Sequence, residues 1–507
     1  MLARSLGHLF ATAAAEFGDK SALITTARTM TFTELDAQSN QLANGLAELG
    51  IQVGDRVSLY APNSWEWVVS YFAVLKMGGV INPLNMMLTG EEVVTMTKDC
   101  GAVAIIAASE KAQNLTGLQQ NLSARRLIAF GNNIPEGFIE FGGLMDGNDE
   151  TFPLVDVDVH DLASIVYTSG TTGHPKGAML SHYNILLNTA MSATMHNRND
   201  RDTVVSALPC SHVYGNIVMN AAFAYGMTLV LHQSFAERDI LESIQSHKAT
   251  MFEGVPTMFM YLLNFPDLTS YDLSSLTRCT VGGQTMPVAK MEQVIAKFGC
   301  PLIELWGMTE IGGLGATHTV YGPGKLGSIG VAMPHTRVRI GDTADAAKTM
   351  PVGEPGELMV QGGIVMGGYY GNESATNDTI SADGWLRTGD IAHMDEDGFV
   401  FIVDRLKDLI ITAGYNVYPA EIERVVAQHP AVAMVAVGSV PDEDKGELAK
   451  AYIISAENTQ ATPEEIISFC REKLAAYKVP RLVQFVEDFP KTSSGKILRR
   501  KLSELDD

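Results

Sequence analysis

Residues 165–182 read IVYTSGTTGHPKGAMLSH, and this stretch decides the fold. An apolar run, Leu162–Tyr167, ends here in a loop of Thr, Ser and Gly that carries one lysine, Lys176. Glycines let several backbone N–H groups converge on one anion, hydroxyls add donors, and the lysine adds a point charge. The stretch therefore predicts a phosphate-binding loop after a strand, with a flexible surface turn as the alternative.

The loop differs from a Walker loop, because it contains no Gly-Lys pair followed by Ser or Thr. A nucleotide phosphate is still its natural ligand. The loop residues that offer a hydroxyl, a flexible backbone or a positive charge are Thr168, Ser169, Gly170, Thr171, Thr172, Gly173 and Lys176. From Asn184 onward the sequence reads as a helix.

Composition excludes several classes of function. The formal net charge of -22 argues against nucleic acid as a partner, because neutralising phosphates requires clustered Lys and Arg. The five cysteines lie far apart without a CxxC pair, which argues against a zinc site or a disulfide framework. Residues 1–15 predict an amphipathic helix rather than a signal peptide. We expect a soluble cytoplasmic enzyme with no transmembrane segment, for which a homodimer is one candidate assembly.

Helical and strand patterns alternate through much of the chain. Thr33–Leu49 has a helix start signal at Thr33, Val57–Tyr60 reads as a strand, and Trp65–Met77 reads as a helix. Further predicted strands are Ala102–Ala108, Arg126–Phe130, Ala163–Thr168, Thr203–Leu208, Thr228–Leu231, Met251–Phe252 and Cys279–Val281. This alternation predicts an α/β fold of parallel sheets covered by helices.

The pattern changes beyond Gly324, where short strands are separated by Gly and Pro. This predicts a small antiparallel or barrel-like unit. A second boundary falls at residues 401–408, FIVDRLKD, and a compact terminal domain is expected after it. Its predicted elements are a helix at Pro419–Gln428, strands at Ala433–Val437 and Ala449–Ile454, and a helix near Pro463–Leu474.

One tempting motif does not fit its surroundings. Residues 322–327, GPGKLG, match GxGxxG, but they do not lead from a strand into a helix. A turn fits them better, so a nicotinamide oxidoreductase is not favoured.

Two further stretches offer groups for a nucleotide. IELWGMTE, residues 303–310, contains Trp306, whose ring can stack on a base, and Glu310, whose carboxylate can hold Mg²⁺. WLRTGD ends in Asp390, which can accept two hydrogen bonds from a ribose. Toward the end of the chain, PKTSSGK places Lys496 in a Gly-Ser loop. Each of these residues alone is also typical of core or solvated surface.

Together, the motifs resemble the adenylate-forming superfamily of acyl-CoA synthetases, aryl-CoA ligases, peptide-synthetase adenylation domains and firefly-luciferase-like enzymes. YTSGTTGHPKG, WGMTE, TGD, DRLKD and PKTSSGK occur in the family's order and near its spacing. The resemblance implies an N-terminal adenylation domain, residues 1–403, of two α/β subdomains plus a distorted β-barrel at 325–403. It also implies a hinge at 404–408 and a small mobile α+β lid domain at 409–507.

The same resemblance implies roles in binding ATP and Mg²⁺. Residues 168–176 wrap the β- and γ-phosphates, Thr309 touches the α-phosphate, and the metal site contains Glu310 and Thr168. The residues implied to hold adenine and ribose are Gly282, Gly283, Gln284, Trp306, Asp390 and Arg405. The family most often has Tyr at the position of Trp306, so the stacking face is kept and the hydroxyl is lost.

The resemblance also implies two reactions. The implied catalytic residues are Lys496, Thr309, Glu310 and His212. Lys496 serves the adenylation step, and rotation about Lys407 then replaces it by a CoA-binding segment that contains Gly414, Tyr415 and Asn416. ATP, CoA and a carboxylic acid are the implied substrates.

The acid is expected beside PCSHVYG, residues 209–215, which resembles the family's His-bearing segment. The candidate pocket residues are His212, Tyr214, Val255 and Leu305. The position of Leu305 is Gly in many relatives that take long acids, so an apolar aryl, alicyclic or medium-chain acid is expected. The alternatives are a long-chain fatty acyl-CoA synthetase, an amide-forming ligase that passes the acyl group to an amine, and a non-catalytic nucleotide-binding protein.

Overall fold

The computed structural model describes residues 4–168, 175–343, 345–405, 408–412, 415–442, 445–456, 459–493 and 495–506, with the backbone alone at 415 and 416. In chain order the α-helices are α1 Leu6–Phe17, α2 Phe32–Glu48, α3 Trp65–Lys76, α4 Gly90–Cys100, α5 Ser109–Gln113, α6 His182–Met195, α7 Val213–Ala224, α8 Glu237–Ser246, α9 Pro256–Asn264, α10 Val288–Phe298, α11 Glu373–Thr379, α12 Pro419–Val426 and α13 Pro463–Arg471. The strands are β1 Ser21–Ile24, β2 Thr29–Thr31, β3 Arg56–Tyr60, β4 Val80–Pro83, β5 Ala104–Ala108, β6 Arg126–Phe130, β7 Ile139–Glu140, β8 Leu162–Thr168, β9 Lys176–Ser181, β10 Thr203–Ser206, β11 Thr228–Leu231, β12 Met251–Gly254, β13 Arg278–Gly282, β14 Leu302–Met308, β15 Gly313–Thr317, β16 Val331–Ala332, β17 Thr336–Gly341, β18 Gly356–Gly362, β19 Leu386–Met394, β20 Val400–Arg405, β21 Ile410–Thr412, β22 Tyr415–Val417, β23 Val432–Asp442, β24 Gly446–Ser455 and β25 Leu482–Phe485.

Helix starts follow local capping chemistry. The side chain of Thr31 accepts from the backbone of Glu34, whose carboxylate accepts from the Thr31 N–H, and this reciprocal pair begins α2. The predicted start at Thr33 is therefore wrong, because Thr33 lies inside the first turn. Ser181 and Asn184 form the same kind of pair at the start of α6, directly after β9.

Two large sheets confirm the predicted α/β fold. The nine-stranded sheet has the order β16-β15-β14-β13-β12-β10-β11-β1-β2, and the seven-stranded sheet has the order β7-β6-β5-β3-β4-β8-β9. Their central strands pair in parallel, whereas β2, β15, β16 and β9 pair antiparallel at or near an edge. Central strands such as β5 are buried along their whole length, as expected for sheets covered on both faces.

The predicted barrel-like unit is an open antiparallel sheet of four strands in the order β17-β18-β19-β20. Within the described part of the chain, β17 and β20 each pair with one neighbour in this sheet, so the strands do not close into a barrel. Residues 331–332, which we expected in this unit, form β16 and pair with β15 of the nine-stranded sheet. The GxGxxG match at residues 322–327 lies in the loop between those two strands.

A third unit follows β20. It contains the order β22-β21-β24-β23, with β25 added in parallel to β24, and α12 and α13 accompany the strands. Its own apolar core includes Ile422, Val437 and Ile466. Among the described residues, every helix is too short or too polar to cross a lipid bilayer.

Candidate active site

The candidate site lies where β13 and β14 end. These strands are parallel, so their carboxyl ends meet at one edge of the nine-stranded sheet, where ligands of open α/β sheets usually bind. β13 ends at Gly282, and β14 leads into a short 3₁₀ turn, Thr309–Ile311. This edge therefore brings together the predicted residues Gly282, Gly283, Gln284, Trp306, Thr309 and Glu310.

Trp306 makes a polar contact that we did not predict from the sequence, where a tryptophan stands in place of the family's tyrosine and its hydroxyl. Its indole N–H donates to Oδ2 of Asp390 at 2.7 Å. The other oxygen, Oδ1, lies 3.0 Å from Nε of Arg405, which faces Asp390 across β19 and β20. The two residues that we expected to hold the ribose are thus oriented by each other and by Trp306.

Lys496 reaches this site from the far end of the chain. A Cβ built on Gly283 would lie 2.6 Å from its Cε, so the lysine occupies space that only a glycine leaves open. Burial, followed by the positive charge of Arg405, lowers the pKa of Lys496 to about 8, whereas Asp390 opposes that shift. The charged form of the lysine therefore still predominates at neutral pH, although the side chain is partly buried.

Hydrogen bonds from two side chains to the backbone hold the segment around Lys496 in this position. The Thr257 hydroxyl donates to the carbonyl of Gly495 at 2.7 Å. The side chain of Gln284 accepts from the N–H of Ile497 at 3.2 Å and donates to the carbonyl of Ile497 at 3.4 Å. Gln284, which we expected beside the adenine, therefore also contacts the C-terminal segment.

The two ends of the predicted phosphate loop face each other. Thr168 ends β8, Lys176 begins β9, and the two residues are partners across this antiparallel pair. The Thr168 hydroxyl donates to the Lys176 carbonyl at 3.5 Å. The other loop positions, Ser169, Gly170, Thr171, Thr172 and Gly173, lie outside the described residues.

Glu310 is the candidate metal ligand. Burial raises the pKa of Glu310, and a hydrogen bond from Tyr369 opposes the shift by stabilising the carboxylate. The Tyr369 hydroxyl donates to Oε1 of Glu310 at 2.8 Å. Across the part of the chain that the structure describes, there is no group of three or more His, Cys, Asp or Glu that could hold a metal. One carboxylate fits Mg²⁺, which usually binds through one or two carboxylates together with substrate phosphates.

His212 caps α7 at the acyl end of the site. Its Nδ1 accepts from the backbone N–H of Tyr214 at 3.3 Å. Burial and then the charge of Lys496 lower the pKa of His212 to about 3, so the ring is neutral. Because Nδ1 accepts, the neutral ring carries its proton on Nε2, which makes Nε2 a hydrogen-bond donor.

Tyr214 belongs to a buried polar network that sequence reasoning missed. The Thr280 hydroxyl donates to Oε2 of Glu253 at 2.9 Å, and Oε1 of Glu253 pairs with Nη1 of Arg198 at 2.6 Å. The Tyr214 hydroxyl lies 2.8 Å from the Thr280 oxygen. Since Thr280 has a single hydroxyl proton and gives it to a carboxylate, Tyr214 must donate to Thr280.

Leu305 and Val255 form apolar surfaces near these groups. Leu305 is the register partner of Gly282, and a Cβ built on Gly282 would lie 2.2 Å from its Cδ1. The Leu305 side chain therefore covers Gly282. Val255 lies near both Gly283 and Gly495, with its methyl carbons 3.5 and 3.1 Å from Cβ atoms built there.

Part of the predicted CoA segment lies in the C-terminal sheet. Tyr415 and Asn416 belong to β22, which pairs with β21 in the C-terminal sheet. Gly414 and Lys407 lie outside the described residues.

Sequence reasoning missed Tyr369 as well as the network behind Tyr214. The glycine pair in VMGGYYGN, residues 365–372, was the available signal for Tyr369, because it marks a close backbone approach. No comparable signal marked Arg198, Glu253 and Thr280, which lie on separate elements of the chain.

Comparisons with known proteins identify the family of this chain. The family described as AMP-binding enzyme matches residues 10–370, and the AMP-binding enzyme C-terminal domain matches residues 421–496. A long-chain-fatty-acid–CoA ligase of Bacillus subtilis (strain 168) is 36% identical over 533 aligned positions, which cover 99% of this chain and 94% of that protein.

Two solved structures show the same fold. An anthranilate CoA ligase in complex with anthranoyl-AMP has a TM-score of 0.94 at 28% identity, covering 100% of this chain and 98% of that one. The o-succinylbenzoate CoA synthetase of Bacillus subtilis in complex with ATP and magnesium ion has a TM-score of 0.84 at 30% identity, covering 98% and 99%.

Fold and site together define an adenylate-forming ligase. The chain belongs to the AMP-binding enzyme family, which confirms the resemblance inferred from its motifs. The prediction of an AMP-forming acid–thiol ligase agrees with the relatives, which are CoA ligases.

Proposed function

We propose that this protein is an ATP-dependent, AMP-forming carboxylic acid:CoA ligase that acts on an apolar aryl, alicyclic or medium-chain acid in the cytoplasm. The observation that carries the proposal is the partly buried Lys496, which packs against Gly283 and lies close enough to His212 and to the Asp390–Arg405 pair for their charges to interact. An isolated cation is costly to bury. A substrate that brings negative charge to the same place explains why this one is retained.

In the first step, a carboxylate oxygen of the acid attacks the α-phosphorus of ATP. A C(O)–O–P bond forms, the bond to the β-phosphate oxygen breaks, and pyrophosphate leaves. Both reactants are anions, so catalysis consists mainly of alignment and charge compensation. Lys496 offsets the charge that develops between the two reactants. Nε2–H of His212 donates to the acid and orients it.

The remaining groups hold ATP. Asp390 and Arg405 bind the ribose, Trp306 and residues 282–284 border the adenine, and Thr309 contacts the α-phosphate. Residues 168–176 bind the terminal phosphates. Mg²⁺, held by Glu310 with Thr168 nearby, neutralises phosphate charge when bound.

In the second step, the thiol of CoA attacks the carbonyl carbon of the acyl-adenylate and AMP leaves. This anhydride is already activated, so the protein mainly admits CoA and excludes water. We propose that residues 409–507 rotate against residues 1–403 about Lys407, within the hinge 404–408. The rotation removes Lys496 and brings Gly414, Tyr415 and Asn416 to the site.

Two features support the choice of acid. Leu305 covers Gly282, which favours a short apolar pocket over a long channel. Tyr214 donates its proton to Thr280, so an acid that reaches the phenol oxygen would meet its lone pairs rather than its hydrogen. Among acids of equal size, one with a hydroxyl or amino group near Tyr214 is therefore favoured. A long-chain fatty acid remains the second candidate, because the Bacillus subtilis relative is a long-chain ligase.

The test is a screen of carboxylic acids with ATP, in which CoA and a set of amines are compared as acceptors and AMP release is measured. We expect acid-dependent exchange of pyrophosphate into ATP, and AMP release that requires CoA. Release with amines but not with CoA would favour an amide-forming ligase. If a broad panel of acids supports no exchange, adenylation is wrong.

A further inference from the structure

Tyr369 lies between Glu310 and Lys176, the two residues that are proposed to bind Mg²⁺ and the terminal phosphates of ATP. Its hydroxyl donates to Oε1 of Glu310 at 2.8 Å. On the other side, Nζ of Lys176 lies 5.1 Å from the centre of its ring. We propose that Tyr369 is a positioning residue that couples the lysine of the phosphate loop to the carboxylate that holds the metal.

The backbone around Tyr369 makes the same connection. We call residues 366–370 the bridging segment. Its first N–H donates to the carbonyl of Glu310 at 2.8 Å. The segment also exchanges two bonds of 2.9 and 3.0 Å with Met179 of β9 and donates a third, of 2.8 Å, to Gly177. The bridging segment thereby ties the strand that begins at Lys176 to the turn that contains Glu310.

The hydroxyl and the ring have separable effects. The hydroxyl engages one oxygen of Glu310, which fixes the direction of the other oxygen toward a ligand. Hydrogen bonds of this kind orient metal-binding carboxylates and increase metal affinity. The face of the ring attracts the Lys176 ammonium and leaves its N–H donors for phosphate oxygens. The hydroxyl therefore serves the metal, and the ring serves the phosphates.

The experiment separates these effects with two variants and two ligands. Tyr369→Phe removes the hydroxyl and keeps the ring, whereas Tyr369→Leu removes both. Calorimetry measures binding of ATP in excess EDTA and of ATP with saturating MgCl₂, without acid, so that turnover does not contribute. Tyr370→Phe is the matched control, because it removes the neighbouring hydroxyl and keeps the backbone bond to Gly177.

We expect Tyr369→Phe to bind metal-free ATP with the affinity of the wild type. Mg²⁺ should increase the affinity of the wild type for ATP, and this increase should be about 10-fold smaller in Tyr369→Phe. Tyr369→Leu should also lose about 3-fold for metal-free ATP. Unchanged binding of metal-free ATP also shows that Tyr369→Phe is folded. The measurements on Tyr369→Phe therefore test the role of the hydroxyl without those on Tyr369→Leu.

The coupling is wrong if Mg²⁺ increases the ATP affinity of Tyr369→Phe as much as that of the wild type. It is also wrong if the substitution lowers the affinity for metal-free ATP and for ATP with Mg²⁺ by the same factor. The inference rests on the proposed ATP site, and the two can fail separately. A wild-type protein that binds no ATP in either condition contradicts the proposed function, whereas a Phe variant equal to the wild type contradicts only the coupling.

Discussion

The nucleotide end and the acyl end of the candidate site are built in different ways. At the nucleotide end, the carboxylate of Asp390 contacts Arg405 and Trp306, which come from two other stretches of the chain. At the acyl end, the charges of Arg198 and Glu253 are paired with each other, and Leu305 and Tyr214 are buried with them. In the proposed function, the chemistry common to all substrates would thus rest on charged contacts, and the choice of acid would rest on packing.

We expect the largest effect on the rate of adenylation from removing a positive charge at the nucleotide end. Lys496→Ala should slow adenylation by about 100- to 1,000-fold, because it removes the positive charge proposed to offset the two anions. Transfer to CoA from supplied acyl-adenylate should be spared. The measurements are pyrophosphate exchange and thioester formation, with Lys501→Ala, an exposed lysine, as the control. Equal loss in both steps would contradict the proposed rotation.

The pH profile tests the same charge without a mutation. The pKa of Lys496 is about 8, so the charged form predominates below pH 8 and is lost above it. The kcat/KM for ATP in the adenylation step should fall about 10-fold per pH unit above 8, because kcat/KM reports groups of the free enzyme. His212, with a pKa of about 3, adds no further change between pH 5 and 8. A fall that persists unchanged in Lys496→Ala would assign it to another group.

At the acyl end, Leu305→Ala should change specificity and stability. The side chain is buried, so its truncation should lower the free energy of unfolding by about 2–5 kcal/mol. It should also extend the range of accepted acids toward longer chains. Denaturant unfolding and a chain-length series check both effects. Leu302→Ala, a second buried leucine of β14, should cost similar stability and leave the acid profile unchanged.

Trp306→Phe tests whether Trp306 serves ATP binding at the nucleotide end or the choice of acid at the acyl end. Phe keeps an aromatic face and removes the donor to Asp390. We expect KM for ATP to rise about 10-fold, since a hydrogen bond to a charged group is lost, while the ranking of acids stays the same. Trp65→Phe, at a half-buried tryptophan outside the site, is the control. A changed acid ranking would show that Trp306 belongs to the acyl end.

The smallest effect is expected from Thr280→Val. Without the Thr280 oxygen, Tyr214 loses its acceptor and is free to donate into the pocket. The preference for a hydroxyaryl acid over its methyl ether should fall about 5-fold, and kcat/KM for the two acids measures it. Tyr214→Phe should remove the preference altogether. Wild-type enzyme without any such preference would place the acid away from Tyr214.

Sequence reasoning predicted the parallel sheets because hydrophobic patterns alternated clearly along the chain. It predicted a small antiparallel or barrel-like unit, but not that the sheet stays open or that β16 pairs elsewhere, because short strands carry too little pattern to identify their partners. The helix start at Thr33 was wrong for a local reason. Two threonines stand two residues apart, and only Thr31 has a glutamate three positions later.

The sequence by itself determined the chemical class of this protein. Its motifs are contiguous, and each carries residue types whose chemistry does not depend on distant neighbours. Only the tertiary structure decided how these groups contact one another. Trp306 acquires its polar role from Asp390, 84 positions away, and Glu310 is oriented by Tyr369, 59 positions away. Such contacts arise where separate sheets and loops pack against one another, and no local sequence pattern encodes that packing.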